Sequence, residues 1–466
     1  MRISIFAAGT LIATSILTAA ELVNLAGDWS LTEFATPSRL RETYYNTVTE
    51  ETRTSLDSLE FAQTSEILVD VFYPDPASVT SRSFVLDIEG VATGGETGEV
   101  LRVSNNRLVY YDGEDLSNLY TNSTGDVILA NSGEEDQQVL SIGLRQPTSL
   151  VAADIVGGWT LLSMISPNDI SKNVIDDRLV DVFFRQDPSI SKIAVEIAAG
   201  GALSLDGEVS GTFSIEGNSG SAQLGPQTIA FQLNASRNVM TGRMADDDEE
   251  EILVMVKTPS TLATADLQGT WSLSTFRMPS VLTETYYNTT TMENRQGDSD
   301  DFAGPNEILV DMFHPTSFKT QRYELQVSSS GAFTGVDSGG TMTGNSDGTV
   351  TVDVDGDLTF YPNTDKNFMI GQTAGEDDQE FLVMIKTSDS IITDLEEKAD
   401  LVSIKRPGSG FVLNWNAGEG LILEESSALD PALWVESPEG SANGSALIET
   451  SSAPRRFFRI AEKIEE

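Results

Sequence analysis

Three related phrases, L-A-G-D-W-S-L around Trp29, I-V-G-G-W-T-L around Trp159 and L-Q-G-T-W-S-L around Trp271, recur along the chain. A Leu-Val-Asp phrase follows each, at Asp70 (I-L-V-D-V-F), Asp181 (R-L-V-D-V-F) and Asp311 (I-L-V-D-M-F). Each copy closes with an acidic turn, an apolar run and a basic residue: Arg145, Lys257 and Lys386. From the Asp to the closing base the separation is 75, 76 and 75 residues, whereas from the Trp to the Asp it is 41, 22 and 40. Landmarks that agree in register along several tens of residues mark a tandem duplication. The spacing also predicts a constant body and one variable segment after the first strand. Copies one and three carry the longer segment, and both write E-T-Y-Y-N-T in it, at Glu42–Thr47 and Glu284–Thr289. Residues 41–66 and 283–307 are therefore expected as matching excursions, with copy two crossing by a short loop.

The units read as strands. S-F-V-L-D-I-E, I-A-V-E-I and Y-E-L-Q-V alternate apolar and polar residues, the period of a half-buried strand. Asp112-Gly113, Asp206-Gly207, Asp347-Gly348 and Asp355-Gly356 are tight-hairpin signals, because such turns need residues that accept positive φ. Roughly eight strands fit in each unit, and an antiparallel meander of that size closes into a small barrel to remove its edges. The fold expected is all-β: three tandem antiparallel β-barrel-like repeats over 21–150, 151–263 (without the insert) and 264–393. A linker and a small C-terminal β-module occupy 394–466.

Gly27-Asp28-Trp29, Gly157-Gly158-Trp159 and Gly269-Thr270-Trp271 resemble the G-x-W that opens the first strand of lipocalin-type barrels. The resemblance implies a lipocalin-like barrel in which a basic side chain from the last strand crosses the Trp. Arg145, Lys257 and Lys386 stand where that residue is needed. It implies no ligand. If each unit closes, Trp29 must lie by Arg145, Trp159 by Lys257 and Trp271 by Lys386, the basic stem covering a ring face and the charge meeting the ring quadrupole. A Trp in every copy is read as a core plug. The tail, with F-V-L-N-W at Trp415, L-I-L-E-E-S-S-A-L, Trp434 and R-F-F-R-I, resembles the short C-terminal β-module of secreted verrucomicrobial and planctomycete proteins, with Glu424 in place of the usual Gln. That resemblance implies a bacterial source and export more than an activity.

Residues 1–20 begin with Arg2, run apolar from Ile3 to Leu17 and end T-A-A, as a cleaved secretory signal does. No later run is apolar enough for a membrane-spanning helix. The chain has no cysteine, which excludes disulfides, thiolate metal sites and a Cys nucleophile. A formal net charge of -44 repels nucleic acid and anionic lipid. A secreted, periplasmic or cell-surface protein is expected.

The chemistry on offer is narrow. His314 is the single histidine, which excludes a His-based zinc site, and no nucleophile elbow accompanies it. It reads as surface or half-buried filler. No phosphate loop is present. The repeated carboxylates Asp70, Asp181 and Asp311 lie in apolar strands, where an Asp satisfies backbone or hydroxyl groups or faces solvent. Asp353-Val-Asp355-Gly-Asp357 opens like a calcium loop, but Leu358 stands where the loop needs Gly, so a hairpin turn explains it better. Asp246, Asp247 and Asp248, with Glu376, Asp377 and Asp378, cluster in turns able to hold calcium weakly or simply to keep a hairpin tip solvated. No other cofactor is expected.

The excursions supply the remaining candidates. Tyr44, Tyr45 and Asn46, repeated as Tyr286, Tyr287 and Asn288, are residue types that line sugar and peptide sites; packing of the tyrosines onto their own barrel is the simpler explanation of the two. In lipocalin-type barrels this loop lies over the mouth. The function expected is non-catalytic: extracellular binding of a glycan or protein, or a surface-structural role. The alternatives are a carboxylate-dependent, glycosidase-like hydrolase, which needs two close acids in a cleft, and a weak calcium-binding adhesion protein.

Overall fold

The computed structural model describes residues 25–389 apart from short loop segments, the backbone alone over 98–118, and the backbone of six strands between Leu401 and Glu462. Residues 1–20, Trp434 and the acidic turns that hold Asp246, Asp247, Asp248, Glu376, Asp377 and Asp378 lie outside the described residues.

Three closed eight-stranded barrels follow one another, as the repeat predicted. Their opening strands are Gly27–Ala35, Gly157–Pro167 and Gly269–Arg277, and their closing strands are Gln138–Arg145, Glu249–Lys257 and Glu380–Ser388. Each opening strand pairs antiparallel with its closing strand, placing Trp29 opposite Arg145, Trp159 opposite Lys257 and Trp271 opposite Lys386. Lys257 Nζ lies 5.7 Å from the Trp159 ring centre and Lys386 Nζ 5.5 Å from that of Trp271. The same ammonium groups donate to Asp154 O and Asp266 O, both at 2.8 Å, in the short helical turns that precede the opening strands. Each indole N–H donates four residues back, to Leu25 O, Ile155 O and Leu267 O. Lysine and tryptophan thus tie the lead-in turn across the barrel end, and burial lowers the pKa of Arg145, Lys257 and Lys386. The glycine of G-x-W has a backbone reason: Gly27, Gly157 and Gly269 have φ of +143°, +121° and +139°, where a side chain strains the chain.

The variable segment is organised differently from the expectation. After the opening strand the chain leaves the barrel, and the Leu-Val-Asp strand leaves with it instead of starting the constant body. The first excursion is a sheet in the order Thr52–Thr54, Arg41–Asn46, Glu66–Phe72, and the third repeats it as Glu293–Asp298, Thr283–Asn288, Glu307–Phe313. The second unit crosses by a two-stranded hairpin, Ile170–Ile175 with Arg178–Phe184, instead of a short loop. The barrel resumes at Ser78–Leu86, Ser189–Ile197 and Lys319–Val327. Sequence spacing hid this because the Leu-Val-Asp strand keeps a constant distance from the closing base whichever sheet it joins. In the C-terminal part, Leu401–Lys405, Gly410–Trp415 and Ser445–Glu449 form one sheet and Val435–Glu436, Leu421–Ser426 and Phe457–Glu462 another.

The barrels share a core. Along the closing strand of the second unit, Leu253 and Met255 join Trp159 inside the barrel, while Ile252, Val254 and Val256 face outward. Those outward side chains meet Leu140, Ile142 and Leu144 of the first unit and Phe381, Val383 and Ile385 of the third. Two polar rings bracket this apolar axis. At one end, Val79 N–H donates to Glu250 of the second unit, Ile190 N–H to Gln379 of the third and Thr320 N–H to Gln138 of the first. At the other, Asn234 Nδ2 reaches Asp126 at 2.9 Å, Asn363 Nδ2 reaches Asn238 at 3.1 Å and Asn367 Nδ2 reaches Thr124 at 3.0 Å. The asparagines come from a repeated turn, N-S-T-G-D, N-A-S-R-N and N-T-D-K-N, whose fourth residue takes positive φ (Gly125, Arg237, Lys366). The contacts run in cyclic order, so one chain builds a pseudo-threefold assembly of its own repeats.

A shared core couples the units energetically, so the barrels should unfold together. Tryptophan fluorescence and far-UV circular dichroism should trace one coincident transition in denaturant; separate steps would mean independent barrels. Asn234→Ala removes the bond to Asp126 of the first unit and leaves the buried Asn238 and Val239 N–H groups without the Asn234 oxygen, and should lower stability by about 1–3 kcal/mol per orphaned group, read from the same curves.

Candidate functional site

The three excursions meet at the Gln138–Glu250–Gln379 end of the axis and bury a second cluster, distinct from the barrel cores. Leu40, Tyr44, Leu68 and Val71 come from the first unit, Ile170, Leu179 and Val182 from the second, and Leu282, Tyr286, Leu309 and Met312 from the third. In each sheet, alternate residues of the central strand face this cluster. That alternation divides the tyrosine pairs: Tyr44 and Tyr286 are fully buried, while Tyr45 and Tyr287 are half-buried on the opposite face.

Tyr44 and Tyr286 are packing residues. Arg53 stacks over Tyr44 and Arg295 over Tyr286, each with its guanidinium carbon 4.6 Å from the ring centre. Each arginine also forks onto a carboxylate, Arg53 onto Glu66 (2.8 Å) and Arg295 onto Glu307 (2.9 Å), which holds both carboxyls below the usual range. The tyrosine hydroxyls donate inward, Tyr44 to Glu42 at 2.6 Å and Tyr286 to Glu284. The signal for this arrangement stands in the sequence: an Arg follows the first Tyr by nine residues in both copies.

Asn46 and Asn288 are turn-formers. Asn46 Oδ1 accepts from Val48 N and Thr49 N, and Asn288 Oδ1 from Thr290 N and Thr291 N. The fifth residue of each turn, Glu50 or Met292, takes positive φ. Of the six residues read as a ligand lining, four therefore build the cap, and Tyr45 and Tyr287 keep an exposed edge. The Tyr287 hydroxyl donates to the Met292 sulfur at 2.8 Å.

Cross-unit hydrogen bonds lock the cap. Glu42 Oε1 accepts from Met312 N at 2.7 Å, and Glu284 Oε1 from Val182 N at 3.0 Å. At the corresponding register position of the second unit stands Lys172, which pairs with Asp70 of the first at 2.6 Å. Asp311, by contrast, is fully buried, with the Met312 N–H and the Thr285 hydroxyl beside its carboxyl. Burial pushes the Asp311 carboxyl up to about 7, and it raises Glu42 to about 8 against the pull of the Tyr44 hydrogen bond. His314 is half-buried and its Nε2 lies 2.6 Å from the Tyr73 hydroxyl, the two rings stacked at 6.3 Å, so the lone histidine joins the third unit to the first. Of the calcium-like D-x-D-x-D, Asp353 pairs with Asp357 across a hairpin. Among the described residues no three His, Asp or Glu side chains group as metal ligands do.

Tyr44→Ala or Tyr286→Ala empties a ring-sized volume from the shared cluster and should cost about 3–5 kcal/mol. Tyr45→Ala and Tyr287→Ala should cost no more than about 1 kcal/mol, as half-exposed positions do. Denaturant unfolding of the four variants checks the division.

No protein-family model matches the chain, and no curated protein matches it. Among solved structures, the chain is similar to transferrin-binding protein B from Haemophilus parasuis at 9% identity, covering 77% of each chain, with a TM-score of 0.21. It is similar to transferrin-binding protein B from Neisseria meningitidis at 8% identity, covering 76% of this chain and 77% of that one, with a TM-score of 0.17. Likeness at these scores carries no weight for this chain, whose barrels stand on their own strand pairing.

Proposed function

We propose that the chain is an exported, non-catalytic bacterial protein that binds an extracellular glycan or protein through the excursion cap. The observation that carries this reading is the distribution of exposed apolar surface. Of the six large apolar side chains exposed among the described residues, three lie on the excursions, one per unit: Val48, Val174 and Met292. Around Val48 and Met292 the tips offer exposed Thr and Glu, with Tyr45 and Tyr287 at the base of each turn. Apolar contact flanked by polar groups is the composition of a recognition surface. The barrel interior is a poor alternative, since Trp159, Phe213, Phe231, Met240 and Met255 fill the second barrel. The reading of export rests on the leader-like residues 1–20 and the charge of -44.

The rival hydrolase needs acids that reach a substrate. Glu42 and Asp311 are 1% and 0% exposed, which supports the non-catalytic reading. An array of glycans and extracellular-matrix peptides, with and without calcium, tests the proposal. Binding should weaken at least tenfold in Tyr45→Ala, Tyr287→Ala and Met292→Ser while stability falls by no more than about 1 kcal/mol. Binding that ignores all three variants refutes the cap as the site, and glycoside turnover abolished by Glu42→Gln supports the rival.

A further inference from the structure

The three junctions of the cap are built on one plan but carry different charges. The register places Glu42, Glu284 and Lys172 at one position and Asp70, Asp311 and Asp181 at another. Where the first position is Lys, the junction is an ion pair: Lys172 with Asp70. Where it is Glu42, the partner across the junction is Asp311, another acid, near enough for the two charges to interact. Glu42 already accepts from Tyr44 and from Met312 N–H, and the buried Asp311 carboxyl has the neutral Met312 N–H and Thr285 hydroxyl beside it. Two ionised carboxylates cannot share an enclosed space without a cation.

We propose that the Glu42–Asp311 junction is a proton-held latch: the pair carries acid protons in the folded cap, and the junction between the first and third units loosens as those protons leave. The proton does at this junction what the Lys172 ammonium does at its neighbour.

The surrounding charges do not supply a substitute. Arg53, on the strand beside Glu42, draws its acidity down but is committed to Glu66. Arg295 of the third unit is committed to Glu307, and Lys172 of the second to Asp70. Glu284, on the strand paired with that of Asp311, adds another acid, and Asp181 and Arg178 stand on the Leu-Val-Asp strand of the second unit. Arg41 lies on the strand of Glu42 itself, next to it in the chain. His314 and Tyr73 bridge the same two units and are engaged with each other. All of these lie within the cap, so the latch acts on the excursions first and on the barrels through them.

The sign follows from the raised acidities. The folded cap holds Glu42 and Asp311 protonated to about 8 and about 7, whereas the unfolded chain releases those protons near 4.5 and 3.8. The stabilisation is therefore complete below about pH 4 and declines as pH rises toward 8, the reverse of an acid held in a salt bridge. Each proton held contributes a tenfold rise in the unfolding constant per pH unit across that window, and the two titrate as a coupled pair. The inference holds whether or not the cap binds a ligand.

Self-repulsion of a chain this acidic also grows with pH, so the test compares slopes. Unfolding constants measured from about pH 5 to 7.5 should rise more steeply in the wild type than in Glu42→Gln/Asp311→Asn, by up to about a hundredfold per pH unit where both protons are held. Glu42→Lys, which copies the Lys172 junction, should flatten the profile in the same way. Equal slopes in all three proteins overturn the proposal. A measurement on the wild type alone guards against variants that fail to fold. Infrared titration should show the carbonyl band of a protonated, buried carboxyl persisting at about pH 6, and amide exchange in 41–72 and 283–313 should accelerate on raising the pH through 8 while exchange in the barrels lags. Absence of the protonated band refutes the latch.

Discussion

The rest of the structure depends on the outer faces of the closing strands. An isolated small barrel needs its last strand apolar on the inside and polar on the outside. Here Ile252, Val254 and Val256, and their equivalents in the other units, are apolar on the outside as well. Three barrels of one chain meet this requirement by turning the same strands toward a common axis, where each covers the other two. A strand buried on both faces reads as a continuous apolar run, and E-I-L-V-M-V and F-L-V-M-I are such runs.

Apolar faces alone do not fix a rotation, because hydrophobic contact is non-directional. The polar rings at the two ends of the axis supply the register. Asn234, Asn363 and Asn367 each bond across a unit boundary in a buried setting, where a slipped arrangement leaves donors unpaired at about 1–3 kcal/mol each. The rings also account for the cap: with the barrels locked in cyclic order, the three excursions emerge at one end and have only each other to pack against. Duplication then leaves the junctions free to differ. Lys172 with Asp70 and Glu42 with Asp311 occupy matching positions, and one exchange of Glu for Lys changes an acid pair into an ion pair.

What the sequence determined by itself is the repeat unit. Landmarks in register, alternating strands and D-G turns specify an antiparallel barrel, and the G-x-W with a distant basic residue specifies its closure, because both ends of one barrel must meet. Those are properties of a single unit, set by local pattern and one long-range pairing. The tertiary structure decided everything that lies between units. Tyr44 and Tyr45 are adjacent and chemically identical, and only the sheet they join and the neighbour it packs against bury one and half-expose the other. The Leu-Val-Asp strand keeps the same spacing in the sequence whether it belongs to the barrel or to the excursion. Asp311 looks like Asp70 in every local respect, yet it faces Glu42 where Asp70 faces Lys172. A strand's own residues state which of its faces are apolar; they do not state what will cover them, since that is fixed by the summed fit of three surfaces.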